Sequence, residues 1–256
     1  MAVDDCRLTG EFALGMAANG LAVGRFAALD SIGGVAHAVT TRQGLDVGMV
    51  KTDRKYAADA LTAALRLKEV AWLEQVHGGD IIQVRQGGPA GSADGMVTDV
   101  PGLGLIGRSA DCPLILLADP VGGVVGMAHA SWRGTVRQIA AQLVSVCVTN
   151  LRAQPARMIA CICPSAGPCC YEVGPDVLKA AVKGIGPRAE AFFAERGGKL
   201  YFDLWAANAD QLAQAGLPPA NIHVARICTM CRNDLFPSHR LEGDRAGRFI
   251  AVIART

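Results

Sequence analysis

This sequence has little charge and almost no net charge. Only 19% of its residues are charged, and 25 Lys+Arg against 23 Asp+Glu leave a net charge of +2. So small and balanced a charge gives no electrostatic footprint for nucleic acid or a membrane surface, and neither partner is expected. Aromatic residues are few, at 5%, and no RNP-type, zinc-finger or helix-turn-helix signature is present. No apolar run approaches the roughly 18 residues of a membrane span; the candidates break at Gly122 and Gly123 or at charged residues. The opening stretch, MAVDDCRLTG, carries two aspartates and no basic region ahead of an apolar run, so no secretory signal is expected there.

Cysteine, in contrast, is plentiful and odd in number. The chain has nine, with Cys161 close to Cys163 and Cys169 next to Cys170. An oxidised framework would leave one thiol over, so reduced thiols in a cytoplasmic protein are expected. Apolar residues make up 51% of the chain, enough to bury a large core. No internal repeat and no linker-like low-complexity segment appears. The Gly- and Pro-rich stretch 87–92 reads as a turn, so residues 1–256 are expected to form a single domain.

Val- and Ile-rich segments predict strands at 34–40, 71–76, 80–85, 104–109, 113–118, 123–128, 158–163, 221–227 and 248–254. Helical spacing of apolar residues predicts helices at 54–67, 135–151, 175–182, 189–195 and 204–215. The second helix has the clearest stripe, Val136, Ile139, Ala140, Leu143 and Val146, with Gly134 freeing the chain to enter it. Strands outnumber helices and do not simply alternate with them, which predicts an α+β fold on a large mixed sheet.

Three segments put metal-ligand side chains at the ends of apolar strands: His77 in Glu74-Gln75-Val76-His77-Gly78, Cys112 in Ser109-Ala110-Asp111-Cys112-Pro113, and His129 ahead of Ala130-Ser131-Trp132-Arg133-Gly134. Strand termini are rigid platforms. Two imidazoles and a thiolate suit zinc, or copper, and three protein ligands leave a fourth position for water or substrate. Taken singly, a histidine at a strand end is more often hydrogen-bonded structure, and a lone cysteine is a small apolar filler.

Read together and in order, QVHGGD, SADCPLILLADP, GMAHASWRGTV, GPCCYEVG, YFDLWAANADQL, CTMCRND and FPSHR resemble the laccase-domain family once labelled multicopper polyphenol oxidases. Members of that family have been described as purine nucleoside phosphorylases, and one bacterial branch as a peptidoglycan editing factor. The likeness runs from about Thr40 to the C-terminus. It implies a compact α/β sandwich, shared with a glutamine-deamidating bacterial toxin that uses a Cys–His pair. It implies a zinc site at His77, Cys112 and His129. It also implies phosphorolysis of adenosine, inosine and methylthioadenosine to the free base, with adenosine deamination beside it. Purine nucleosides and phosphate would then be the small-molecule partners.

The chain departs from the family pattern in three places. Ser131 stands where relatives have Gly, and its extra hydroxymethyl is expected to fill space beside the metal or to bond a substrate or phosphate. Thr40-Thr41-Arg42-Gln43-Gly44-Leu45-Asp46 lacks a second Gly, so the Arg42 loop reads as shortened. Cys163 replaces another Gly.

Phosphorolysis needs an anion held behind the anomeric carbon, and Arg forks suit phosphate. Arg42 and Arg133 are the candidates, each with a surface salt bridge as the plainer reading, and Arg240 is a third. The start of the helix at Thr135 would add dipole support. Deamination needs a carboxylate to shuttle protons; Asp111 and Glu74 are the candidates, though the H-x-E and P-C-x-x-C pairing of known nucleobase deaminases is absent.

Three rival readings stand beside this one. Cys112 and His129 would serve a cysteine hydrolase acting on a peptide or cell-wall precursor amide. Copper-dependent phenol oxidation needs several copper centres, and the chain has only five histidines, of which His37, His223 and His239 read as structural. The Cys228-Thr229-Met230-Cys231 spacing suits half of a structural zinc site that Cys161, Cys163, Cys169 and Cys170 would complete. No matched second C-x-x-C exists, so packing or redox roles are expected for these thiols. The preferred nucleoside, the dominant reaction, zinc against copper, and the oligomeric state stay open at this level.

Overall fold

The structure, a computed structural model, describes residues 10–256; the stretch read against a secretory signal lies, apart from Gly10, outside them. The chain opens with a hairpin, β1 (Phe12–Met16) and β2 (Ala22–Phe26), then a short α1 (Ala27–Asp30) and β3 (Val35–Thr40). Two helices follow, α2 (Val47–Thr52) and α3 (Arg54–Leu65), the second capped by Asp53, whose carboxylate accepts the Tyr56 N–H. A run of strands comes next: β4 (Glu69–Glu74), β5 (Ile81–Gln83), β6 (Gly88–Ser92), β7 (Gly95–Thr98), β8 (Leu103–Ser109), β9 (Leu114–Asp119) and β10 (Val124–His129). The remainder is α4 (Trp132–Val136), α5 (Ile139–Leu151), β11 (Ile159–Ile162), β12 (Glu172–Val173), α6 (Pro175–Ile185), β13 (Phe193–Arg196), β14 (Lys199–Phe202), α7 (Leu204–Gln214), β15 (Ile222–Val224), α8 (His239–Glu242) and β16 (Phe249–Arg255).

Seven strands form one mixed sheet in the order β1-β2-β3-β16-β8-β4-β6, and six form a second, β15-β11-β9-β10-β7-β5. Alternation along the central strands assigns the layers. Leu114, Leu116 and Met127 of the second sheet share a core with Leu105, Ala251 and Ile253 of the first, so the two sheets pack face to face. The residues between them point outwards. Ile115 and Leu117 meet Ile139, Leu143 and Cys147 of α5, while Ile106, Ile250 and Val252 meet Ala57, Ala58 and Leu61 of α3. Helix, sheet, sheet and helix give the mixed α+β sandwich expected. Because both faces of β9 and β10 are covered, all six residues of each are buried. Among the described residues no helix is long and apolar enough to cross a membrane.

The predicted strands all occur, with ends shifted by a few residues. Three other expectations fail, each for a physical reason. The helix at 135–151 is two helices, with Gln138 in left-handed backbone (φ 61°) between them. The apolar stripe has two partners: Val136 packs beside Ala181 and Ile185 of α6, and Ile139 onward packs on the second sheet. The helix at 189–195 is a 3-10 turn followed by β13, which pairs with β14 across Gly197-Gly198. Both glycines hold positive φ (57° and 72°), the requirement of a two-residue hairpin turn. The turn at 87–92 is β6, an edge strand parallel to β4, and Pro89 is tolerated because the edge leaves its missing N–H unneeded.

Candidate active site

The ends of β4 and β10 and the bend between β8 and β9 converge at one place. Three residues after β4, His77 takes a left-handed backbone (φ 58°), and Asp111, just before Cys112, does the same (φ 90°). Such conformations persist only where surrounding contacts hold them. One residue that the motifs did not single out holds this one. Asp94, fully buried, accepts the backbone N–H of Val76 (3.3 Å), His77 (3.0 Å) and Gly78, and its Oδ1 lies 2.9 Å from Nδ1 of His129. An ionised carboxylate can only accept, so Nδ1 of His129 donates and its Nε2 is left for the site. Burial pushes the Asp94 carboxyl up, but the His129 hydrogen bond and the Gly78 and His77 N–H groups outweigh it and leave it lowered.

The donor atoms of His77, Cys112 and His129 lie within 4.8 Å of one another, and the two imidazoles meet edge to face at 5.0 Å. Cys112 and His129 are strongly coupled. Burial raises the thiol, but the charge and hydrogen bonding of His129, then His77, outweigh it and lower Cys112 to about 7. Burial lowers His129, and the Cys112 thiolate and Asp94 together raise it to about 9. Each group favours the charged form of the other.

The trio faces a cavity of about 380 Å³, within the range of small-molecule sites. Its cations are Arg108, Arg240 and Arg248. Among the described residues no carboxylate stands within ion-pair distance of any of them. Arg108 is tethered to the carbonyl of Lys51 (2.9 Å), and burial, then the charge of Arg54, lowers its guanidinium to about 10. The guanidinium of Arg240 lies 5.0 Å over the ring of Tyr171 and donates to the Glu172 carbonyl (2.7 Å). Tyr171 and Leu204 supply an apolar wall. Gln75 exchanges hydrogen bonds with the Arg108 backbone (2.8 and 2.9 Å), extending the β4–β8 pairing towards the trio.

The other sequence candidates are placed differently. Arg42 donates to the Asn233 carbonyl (2.8 Å) and pairs with Glu242, so it is committed to structure and does not line the cavity. Arg133 is exposed and rests 4.6 Å over Trp132, also outside the lining. Glu74 pairs with Arg54 at the surface. Asp111 does line the cavity, but its two oxygens accept from Thr229 Oγ1 (2.6 Å) and the Arg240 backbone N–H (2.7 Å), which ties two later segments down over the site. The Ser131 hydroxyl caps α4 by accepting the Gly134 N–H (3.1 Å). No helix begins at Thr135, and Gly134 is needed for close approach: a Cβ there would sit 2.8 Å from the Gly78 carbonyl. His37 is buried and accepts the Phe26 N–H, and His223 lies 3.8 Å from Glu11; His239, read as structural, lines the cavity.

The family described as multi-copper polyphenol oxidoreductase laccase has a profile that matches residues 33–256. The chain is 36% identical over 227 residues to purine nucleoside phosphorylase YlmD of Geobacillus stearothermophilus, covering 83% of this chain and 82% of that one. It is 36% identical over 163 residues to adenosine deaminase RL5 of an unknown prokaryotic organism, covering 63% and 62%. The crystal structure of YlmD from G. stearothermophilus superposes with a TM-score of 0.81 at 31% identity, over 91% of this chain and 96% of that one.

Proposed function

As the chain belongs to the multi-copper polyphenol oxidoreductase laccase family, we propose that it is a zinc-dependent purine nucleoside phosphorylase. Its substrates in this reading are adenosine, inosine and methylthioadenosine, with adenosine deamination as a side activity, and its compartment is the cytoplasm. The observation that carries the reading is a single cavity lined by both the His77, Cys112, His129 trio and Arg108, Arg240 and Arg248, which have no carboxylate partners among the described residues.

The residues fit a metal. An N₂S donor set is gathered within 4.8 Å, and Asp94 holds the His129 ring from behind, as carboxylates do for ligating histidines. Zinc in such a three-ligand site supplies a Lewis acid and an acidified water. The chain's own residues do the rest. The arginines hold the phosphate dianion beside the ribose, Arg240 donating from a guanidinium already oriented by Tyr171 and Glu172. Tyr171 and Leu204 exclude water from one face of the purine. Deamination in the same cavity needs a proton carrier other than Glu74 or the hydrogen-bonded Asp111, and His239, whose Nδ1 donates to the Gly243 carbonyl (2.9 Å), is the imidazole of the lining outside the trio.

A second reading, a cysteine hydrolase, is favoured by one observation: the Cys112 sulfur and a His129 ring nitrogen lie within 4.8 Å of each other, where each group favours the charged form of the other. Phenol oxidation at several copper centres has no such support, because His37 and His223 lie outside the cavity. Metal analysis, combined with adenosine and inosine assays with and without phosphate, separates these readings. The phosphorylase predicts phosphate-dependent release of adenine and hypoxanthine, and loss of one metal equivalent per chain in His129→Ala. Metal-independent protein inert on nucleosides, with Cys112 rapidly alkylated, would transfer the assignment to the hydrolase.

A further inference from the structure

Four cysteines outside the cavity are drawn together by the fold. The sulfurs of Cys169, Cys170, Cys228 and Cys231 lie within 4.8 Å of one another, with Cys231 Sγ 3.6 Å from Cys169 and 3.5 Å from Cys170. We propose that these four side chains form a second metal site, a tetrathiolate centre for zinc, that clamps two walls of the cavity together.

The geometry argues for a metal over mere packing. Zinc–sulfur bonds of about 2.3 Å set tetrahedral sulfurs about 3.8 Å apart, and the spacing here is close to that. It is far longer than the roughly 2.05 Å of a disulfide. Thiols are weak hydrogen-bonding groups, so four of them in mutual contact gain little from one another. Nor does burial explain them: Cys228 is buried, but Cys169 and Cys170 are only half-buried, unlike Cys161 and Cys163, which sit in the core between the sheets.

The backbone is shaped for ligation at both segments. Cys170 and Tyr171 each donate a backbone N–H to the Gly167 carbonyl (3.0 and 2.9 Å). This turn brings two adjacent side chains to one side, where an extended strand would part them. At the other segment, Cys228-Thr229-Met230-Cys231 curls so that the Met230 and Cys231 N–H groups aim at the Cys228 sulfur, joined by the Gly167 N–H at 3.3 Å. Convergent N–H donors stabilise a thiolate. Four thiolates around a divalent cation carry a net charge of −2, and the Arg196 guanidinium, donating to the carbonyls of Pro168 and Cys169, stands beside them.

The two segments also carry site residues. Tyr171 follows Cys170, and Thr229, inside the C-x-x-C loop, bonds Asp111, which in turn fixes the Arg240 backbone. A metal joining the segments would therefore hold Tyr171, and the Arg240 guanidinium stacked on it, in register on the cavity wall.

The test uses the full chain purified under reducing conditions. A His77→Ala/His129→Ala variant disables the trio, so any remaining metal reports the cysteines. It is expected to retain about one zinc per chain. Co²⁺ exchange should give the sulfur-to-cobalt charge-transfer and tetrahedral absorption of an all-thiolate site. Adding Cys169→Ser and Cys231→Ser should remove both the metal and the spectrum. Should that variant fold poorly, mercurial titration of the first variant, read as zinc released to a chromophoric chelator, tests the same point without further substitution. A trio variant that is metal-free and takes up neither ion, or one in which mass spectrometry finds these cysteines joined as disulfides, overturns the proposal. These readouts do not involve nucleosides, so they are independent of the phosphorylase assignment.

Discussion

The molecule gathers metal-ligand side chains in two places built on opposite plans. At His77, Cys112 and His129 three donors face a cavity, and an acceptor-only carboxylate, Asp94, supports one of them from behind. At Cys169, Cys170, Cys228 and Cys231 four donors close on one another, backed by peptide N–H groups. Three ligands with an open side suit chemistry, whereas four closed thiolates suit structure. The comparison teaches that donor count and access, more than residue type, divide a reactive site from a clamp.

Substitutions should separate the two plans. The largest effect is expected from Cys112→Ala, which should take nucleoside turnover to background while leaving the thermal midpoint within a few degrees. Cys228→Ser should do the reverse, lowering the midpoint by several degrees with proportionally less loss of kcat. An unfolded Cys112→Ala protein would instead make the trio structural and erase the distinction.

Asp94→Asn sharpens the same contrast. Loss of a carboxylate behind a ligating histidine typically weakens metal affinity or activity about 10–100-fold, and competition with a chromophoric chelator measures it. Arg240→Ala should raise KM for phosphate roughly tenfold, the cost of one charge-assisted hydrogen bond. Its KM for the nucleoside should move less, and equal changes in both would place the anion elsewhere.

At neutral pH the smallest effect belongs to His37, a histidine in neither cluster. Burial, only partly opposed by the charge of Asp30, lowers it to about 4 from 6.5. The unfolded chain therefore binds the extra proton first. Stability from this residue is complete above about pH 6.5, declines as pH falls towards 4, and is lost below that. Urea unfolding across this range should show the slope, and His37→Gln should flatten it. An unchanged slope would assign the acid sensitivity to other groups.

Much of the fold was legible along the chain because its signals are local. LILLAD and VVGMAH announce buried strands by their apolar runs, and the trio stands at strand ends that can be marked without knowing how the strands pair. The Gly197-Gly198 pair is a local turn signal, but the apparent helical period of 189–195 hides the strand that leads into it. Other features had no local signature. Val136 and Ile139 share one period in sequence but pack on different partners. Arg42 matched a motif, yet Glu242, 200 positions away, takes its charge.

The sequence by itself determined the strand-rich core and the three strand-end donors, because each depends on composition or on neighbours a few residues apart. Tertiary structure alone decided that Asp94 supports His129, that Arg108, Arg240 and Arg248 face one cavity, and that Cys169 and Cys170 meet Cys228 and Cys231. Those pairings span long stretches of chain, such as the 129 positions between Asp111 and Arg240. A side chain's partner at that distance is set by sheet order and loop path, which residue identity alone does not encode.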